Sequence, residues 1–200
     1  MREGSARRLG IMGGTFDPIH NGHLVCAEEA LRQFELDEVV FIPAGRPWQK
    51  EGRCVASAED RYLITMLATA SNDRFSVSRI EIDREGPTYT IDTLRAFASF
   101  YEDRAELFFI MGADALSDFG SWKDPEAVLA HARIIAAARP GYDPWGPGAD
   151  WLQERVSVIE IPHLAISSTD IRERISKGLS VRYLLPPEVA KLIEQRRLYA

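Results

Sequence analysis

Short apolar runs alternate with segments of helical periodicity along almost the whole chain, and this alternation limits the folds open to it. Strands are predicted at residues 8–12, 38–43, 74–82, 106–112, 133–138 and 156–162. Helices are predicted at residues 21–36, 59–70, 88–101, 124–131 and 167–178, and from residue 186 onwards. Because helix follows strand repeatedly, we expect an α/β fold: a doubly wound, Rossmann-like parallel sheet with helices on both faces and a small C-terminal helical part over about 167–200.

Length and charge narrow the class of protein further. The 200 residues suit a single domain over residues 1–200, and the net charge of −6 argues against a general nucleic-acid binder. The first residues lack the apolar stretch of a signal peptide, and no window approaches the roughly 20 apolar residues of a membrane span. We therefore expect a cytoplasmic protein without nucleic-acid or membrane partners. Cys26 and Cys54 are too few for a disulfide framework, so both are predicted to be reduced.

The segment "GGTFDPIHNGH", residues 13–23, has an unusual composition for a packed core. Gly13 and Gly14 follow the first strand and allow a tight turn close to a ligand. His20 and His23 lie three positions apart at the start of the next helix, where free N–H groups and the helix dipole favour an anion. A zinc site is the alternative, but zinc needs a third ligand and commonly an i, i+4 spacing. The motif therefore favours a phosphate, with both imidazoles as hydrogen-bond donors to developing charge.

A second segment, "ISSTDIRERI", combines hydroxyl side chains with a guanidinium near the other end of the chain. Ser167, Ser168 and Thr169 at the start of a helix are ordinary capping residues. Followed by Arg172, they also provide the donors of a phosphate-binding cradle. The residues alone leave both interpretations open.

Together the two segments resemble the T/HxGH and ISSTxIR motifs of the nucleotidyltransferases, which hold ATP and transfer its AMP moiety to a phosphate acceptor. The resemblance implies that ATP lies against Gly13, Gly14, Thr15, Phe16, His20, His23, Ser167, Ser168, Thr169 and Arg172. It also implies that His20, His23 and Arg172 are the catalytic residues, which stabilise charge on the phosphates. Mg²⁺ would arrive with the ATP phosphates, with no metal site on the protein itself.

The segments "GPTYTIDTL" (86–94), "IMGADAL" (110–116) and Ser121-Trp122 are similar to those of bacterial nicotinate-nucleotide adenylyltransferases. This resemblance covers nearly the whole chain, and "RPWQK" (46–50) resembles the actinobacterial branch. It implies transfer of AMP from ATP to nicotinate mononucleotide, giving nicotinate adenine dinucleotide and pyrophosphate in NAD biosynthesis. The alternatives are another acceptor, nicotinamide mononucleotide or phosphopantetheine, and a non-catalytic nucleotide sensor. A homo-oligomer is compatible with the sequence.

The same resemblance implies a binding site for the nicotinate group. Backbone N–H groups and the hydroxyl of Thr88 and Tyr89 would bind the carboxylate, because a carboxylate needs hydrogen-bond donors. Trp122 would stack on the electron-poor pyridine ring. The alternative for Trp122 is a structural anchor in the core.

Charged residues after the strands complete the predicted acceptor site. Asp114 would accept hydrogen bonds from ribose hydroxyls, the alternative being a helix N-cap. Lys50 on the loop after the second strand would reach a phosphate, and Arg139 after the fifth strand is a further substrate-binding candidate. Arg46 is a weaker candidate, for which a solvated charge is the alternative.

Overall fold

The computed structural model describes residues 6–46, 56–102, 104–139, 141–145, 150–162 and 164–200. Within these ranges six strands form one sheet: β1 (Arg7–Gly14), β2 (Glu38–Pro43), β3 (Phe75–Val77), β4 (Ala105–Gly112), β5 (Arg133–Ala138) and β6 (Val156–Glu160). The α-helices of the same ranges are α1 (Asn21–Gln33), α2 (Ala58–Thr69), α3 (Thr90–Phe100), α4 (Pro125–His131), α5 (Ser168–Ser176) and α6 (Pro187–Arg196). Short 3-10 helices lie at Ala113–Ala115, Phe119–Ser121 and Asp150–Leu152.

The strand order is β3-β2-β1-β4-β5-β6, which confirms the predicted doubly wound fold. β4 pairs in parallel with β1 and with β5, and β5 pairs in parallel with β6. The central strands are almost wholly apolar because strands of a parallel sheet are buried on both faces. Leu9 of β1, for example, lies opposite Leu107 of β4, and both side chains are buried. The order reverses at β1, and the segment with the two histidines follows this strand directly.

The chain divides into two compact units. The first unit comprises Met1–Gly13, Cys26–Val40 and Tyr89–His163, and the second comprises Gly14–Val25, Phe41–Thr88 and Leu164–Ala200. The second unit therefore contains His20, His23 and the whole "ISSTDIRERI" segment. In this unit α2 packs against α6 and β3. In the first unit α3 packs against α4 and β4.

Several elements differ from the predicted bounds by a few residues, and two of these differences have a clear local cause. The alternating run at 74–82 forms a strand only at Phe75–Val77, because the chain then turns: the amides of Ile82 and Asp83 both donate to the carbonyl of Arg79. Helix α1 ends at Gln33 instead of residue 36, since Glu35 adopts a left-handed conformation with φ of 48°.

Asp124 occupies the predicted N-cap position of α4, but its side chain makes no capping hydrogen bond. Its carboxylate instead forms an ion pair with Arg95 at 3.1 Å. Among the helices that the structure describes, none is long and apolar enough to span a membrane.

Candidate active site

The two histidines of the first segment form a stacked pair at the start of α1. Their ring centroids are 3.8 Å apart and the ring planes differ by 30°. The backbone N–H of His20 donates to Nδ1 of His23 at 3.2 Å. Because Nδ1 of His23 accepts this bond, the ring proton of His23 lies on Nε2. No acidic residue lies in the first turn of α1, so no carboxylate of that turn would repel a bound anion.

His20 is a neutral imidazole at pH 7. The side chain is only 7 % exposed, and this burial lowers the pKa of His20 from 6.5 to about 4. Its Nδ1 is buried and has no hydrogen-bond partner within the described residues. Gly22 leaves room for the ring: a Cβ at this position would lie 3.0 Å from Nδ1 of His20. The sequence interpretation did not assign a role to this glycine.

Phe16 supports the histidine pair from the side. Its ring is buried and contacts the ring of His23 edge-on, with centroids 5.2 Å apart. It also packs against Phe41 at 5.9 Å. A Cβ at Gly14 would lie 2.8 Å from the Phe16 ring, so a glycine is required beside it. Since the Phe16 side chain is buried, any contact of Phe16 with ATP would be made through its backbone.

The turn between β1 and α1 is held by side chains from distant segments. Arg61 of α2 donates to the carbonyl of Thr15 at 2.8 Å and to that of Gly45 at 3.2 Å. Arg172 of α5 donates to the carbonyl of Asp17 at 2.7 Å. Ser168 donates to the carbonyl of Pro18, which follows a cis peptide bond, at 2.9 Å. The structure thus brings the two sequence motifs into direct contact, although about 150 residues separate them.

The hydroxyl residues predicted to cradle a phosphate make contacts within the protein. Ser167 is the N-cap of α5 and accepts from the amide of Asp170 at 3.1 Å. Ser168 is bound to the first motif, as described above, and Thr169 accepts from the guanidinium of Arg172 at 3.3 Å. The capping and cradle interpretations are compatible, because Arg172 has five N–H donors and these contacts use two of them.

A buried carboxylate, which sequence reasoning missed, completes this region. Asp17 is 4 % exposed, and its Oδ1 accepts from the hydroxyl of Tyr199 at 2.8 Å and from the amide of Ala56 at 3.2 Å. Arg61, 1 % exposed, was also missed. The helical spacing places Arg61 on the same face of α2 as the buried side chains, and this could have identified it as a buried arginine. A charge on such a face needs buried hydrogen-bond partners. No local pattern pointed to Tyr199.

Four of the predicted acceptor residues lie in the first unit: Tyr89, described below, and Asp114, Trp122 and Arg139. Asp114 is exposed in the 3-10 helix Ala113–Ala115, whose N-cap is Gly112, so the capping alternative for Asp114 is wrong. Trp122 is half-buried and its ring packs against Phe119 at 5.1 Å. Arg139 is exposed after β5. These placements leave their roles as predictions.

Tyr89 and Thr88 lie at the start of α3. Tyr89 is the N-cap residue of this helix, and the ammonium group of Lys123 lies 4.5 Å from the centroid of its ring. The amide and the hydroxyl of Thr88 both donate to the carbonyl of Arg46, at 3.0 and 3.2 Å. Binding of a carboxylate by these donors of Thr88 would require that contact to open. Lys50 lies outside the described residues.

Metal ligands of the usual kind are not clustered here. Within the described ranges no group of three or more His, Cys, Asp or Glu side chains is arranged to hold an ion. Cys26 is buried, and burial raises the pKa of its thiol to about 12, which keeps it protonated and unreactive.

Comparison with known proteins agrees with this arrangement. Residues 11–174 match the model of the cytidylyltransferase-like family, so fold and site define a nucleotidyltransferase of this class. A relative from Leifsonia xyli, named "Probable nicotinate-nucleotide adenylyltransferase", is 54 % identical over 100 % of this chain and 97 % of its own length. A relative of the same name from Streptomyces coelicolor is 55 % identical over 94 % of this chain and 98 % of its own length. The chain belongs to the nicotinate-nucleotide adenylyltransferase family, and its similarity to actinobacterial members is confirmed.

Solved structures share the fold. Nicotinic acid mononucleotide adenylyltransferase from Plasmodium falciparum, complexed with NaAD, superposes with a TM-score of 0.79. That structure is 18 % identical in sequence, with 96 % of this chain and 97 % of that chain covered. A Vibrio parahaemolyticus protein, described as "a Putative Nicotinate-nucleotide Adenylyltransferase", gives a TM-score of 0.67 at 19 % identity, over 94 % of this chain and 99 % of that one. At these identities the likeness shows the Rossmann-like fold alone.

Proposed function

We propose that the chain transfers AMP from ATP to nicotinate mononucleotide, releasing pyrophosphate and forming nicotinate adenine dinucleotide. The stacked imidazoles of His20 and His23 at the start of α1 are the observation that carries this proposal within the family. They place N–H donors beside a helix terminus, which is an arrangement suited to phosphates. The names of the relatives support nicotinate mononucleotide as the acceptor.

In this reaction an oxygen of the acceptor phosphate attacks the α-phosphorus of ATP in line. The new P–O bond forms as the bond between the α-phosphorus and the bridging oxygen breaks, and that oxygen leaves with pyrophosphate. The protein needs no nucleophile for this step, because positioning and charge stabilisation provide most of the acceleration in phosphoryl-type transfers.

His20, His23 and Arg172 would stabilise the negative charge that develops on the phosphates. The imidazole of His20 acts as a neutral donor, since burial keeps the pKa of His20 at about 4. Arg172 keeps donors for a phosphate after its bonds to Asp17 and Thr169. The predicted contacts of Gly13, Gly14 and Thr15 with ATP belong to the same proposal, as do those of the acceptor residues.

Adenylyl transfer from ATP generally uses a divalent metal, and we propose Mg²⁺. The described residues contain no carboxylate cluster that would hold the ion without nucleotide. Oxygen atoms of the ATP phosphates and water are suitable ligands for Mg²⁺, which requires few protein ligands in such sites. The ion would screen the phosphate charge, while the protein donors described above orient the phosphates.

A pyrophosphate-release assay with ATP and a panel of acceptors tests this function. We expect turnover with nicotinate mononucleotide and much slower turnover with nicotinamide mononucleotide or phosphopantetheine. Release with phosphopantetheine alone would assign a different acceptor. Tight ATP binding without turnover on any acceptor would identify a nucleotide sensor and refute the proposal. The predicted cytoplasmic location, single domain and homo-oligomer remain predictions.

A further inference from the structure

Asp17, three residues before His20, forms a buried hydrogen bond with Tyr199. The carboxylate of Asp17 is 4 % exposed and the side chain of Tyr199 is 8 % exposed. Their oxygens are 2.8 Å apart, a short distance typical of a hydroxyl donating to a charged carboxylate. A buried carboxylate depends on such donors because it has lost the hydrogen bonds of water.

Tertiary contacts determine the position of Tyr199. It lies beyond the end of α6 at Arg196 and has a φ of 67°, in the left-handed region that is uncommon for a residue with a bulky side chain. Burial, with the charge of Asp17 as the second cause, raises the pKa of Tyr199 above its ordinary value of 10. The phenol therefore remains protonated, and so a donor, throughout the pH range in which the protein would work.

The position of Asp17 is transmitted to the histidine pair by a short, constrained segment. Only Pro18 and Ile19 separate Asp17 from His20. Proline has a fixed φ, and the side chain of Ile19 is fully buried with 0 % exposure. A shift of Asp17 would therefore move His20 and, through the 3.8 Å ring stack, His23 as well.

We propose that Tyr199 is a positioning residue for the reaction: its hydroxyl holds the carboxylate of Asp17, and thereby the turn that aims His20 and His23 at the phosphates. The inference rests on the proposed function. Tyr199 acts through Asp17 and makes no contact with the reacting atoms. It lies outside residues 11–174, the part of the chain that matches the family model.

The substitution Tyr199→Phe tests this inference, because it removes one oxygen and retains the ring. We expect kcat to fall about tenfold, equivalent to about 1.4 kcal/mol in the activation barrier. The KM values for ATP and nicotinate mononucleotide should stay within about twofold, since binding groups are unchanged. The matched control is Tyr183→Phe in the same unit, whose side chain is 82 % exposed and whose kcat should equal that of the wild type.

Nitrogen-15 spectra of the imidazoles give a readout that a general loss of stability would not produce. We expect the signals of His20 and His23 to shift in Tyr199→Phe. The signal of His131, whose Nδ1 is bound to the carbonyl of Ala127 at 2.8 Å, should remain in place. Unshifted signals of the pair together with wild-type kcat, in a folded variant, would overturn the inference.

Failure of the proposed function would look different. In that case the wild type itself would release no pyrophosphate with nicotinate mononucleotide, while the imidazole spectra would still decide the positioning role.

If Tyr199→Phe does not fold, the substitution is made in an Asp17→Asn protein, which lacks the buried charge and keeps an acceptor oxygen. In this background we expect Tyr199→Phe to lower kcat about fivefold, or about 1 kcal/mol, relative to Asp17→Asn alone. Equal kcat values in that pair would contradict the role of Tyr199.

Discussion

Gly22 lies between the two histidines, and its lack of a side chain leaves the space that the ring of His20 occupies. In Gly22→Ala the new Cβ would lie 3.0 Å from Nδ1 and 3.1 Å from Cε1 of His20. Non-bonded heavy atoms are most stable at about 3.5–4.0 Å, so the ring must retreat by about 0.5 Å. The ring has little freedom to do so, because it is 7 % exposed and stacked on His23.

We expect Gly22→Ala to lower kcat about 10- to 100-fold, since a 1 Å misplacement near the reacting groups can cost about 100-fold. The free energy of unfolding should change by less than about 1 kcal/mol, because the higher helix propensity of alanine offsets part of the steric strain. In this variant we therefore expect a large loss of kcat with little loss of stability.

Pyrophosphate release at saturating ATP and nicotinate mononucleotide measures kcat, and urea denaturation measures the free energy of unfolding. The control is Gly120→Ala, where no atom lies within 4 Å of the new Cβ and φ is not left-handed. Wild-type kcat in a folded Gly22→Ala protein would refute the reasoning, because it would show that the contact with His20 does not determine the position of the ring.

Three further predictions concern stability and reactivity. Gly45→Ala would place a Cβ 2.1 Å from the carbonyl oxygen of Glu81, so we expect a loss of about 3 kcal/mol or more in urea denaturation. Burial lowers the pKa of His20 to about 4 in the folded protein, whereas in the unfolded chain it keeps its ordinary value of 6.5. As the pH falls below 6.5, the unfolded state therefore takes up a proton at His20 that the folded state does not. The unfolding free energy should therefore drop by about 2 kcal/mol between pH 7 and pH 5, and this drop should be absent in His20→Asn. Cys26, with its pKa raised to about 12, should resist alkylation at pH 8 in a Cys54→Ser protein until urea unfolds it.

The fold could be predicted from the sequence because strands of a buried parallel sheet have continuous apolar runs. Residues 38–43, 106–112 and 133–138 all became strands with mostly buried side chains. For residues 74–82 the predicted strand was too long, because apolar and polar residues also alternate where a chain turns with its charged side chains outward. There Arg79 forms ion pairs with Glu59 and Asp83, and these stabilise a turn in place of a longer strand.

The candidate site was predictable only in its local parts. Residues three positions apart are neighbours at the start of a helix, so the pairing of His20 with His23 could be predicted from their spacing alone. The contacts that hold the turn behind them span 46 residues from Thr15 to Arg61, 155 from Asp17 to Arg172 and 182 from Asp17 to Tyr199. Such contacts depend on tertiary structure, and no periodicity or local composition reports them.

These long-range contacts give the "ISSTDIRERI" segment a structural role in addition to its predicted role in phosphate binding. Ser168 and Arg172 donate to successive carbonyls of the turn that precedes His20. A substitution at either position therefore acts on the histidine pair as well as on any phosphate bound near α5. Because imidazole donors stabilise a transition state only when they are held in place, the donors that hold the turn are as necessary to the proposed chemistry as those that contact ATP. The two motifs form one structural unit, and their effects on kcat are expected to be non-additive.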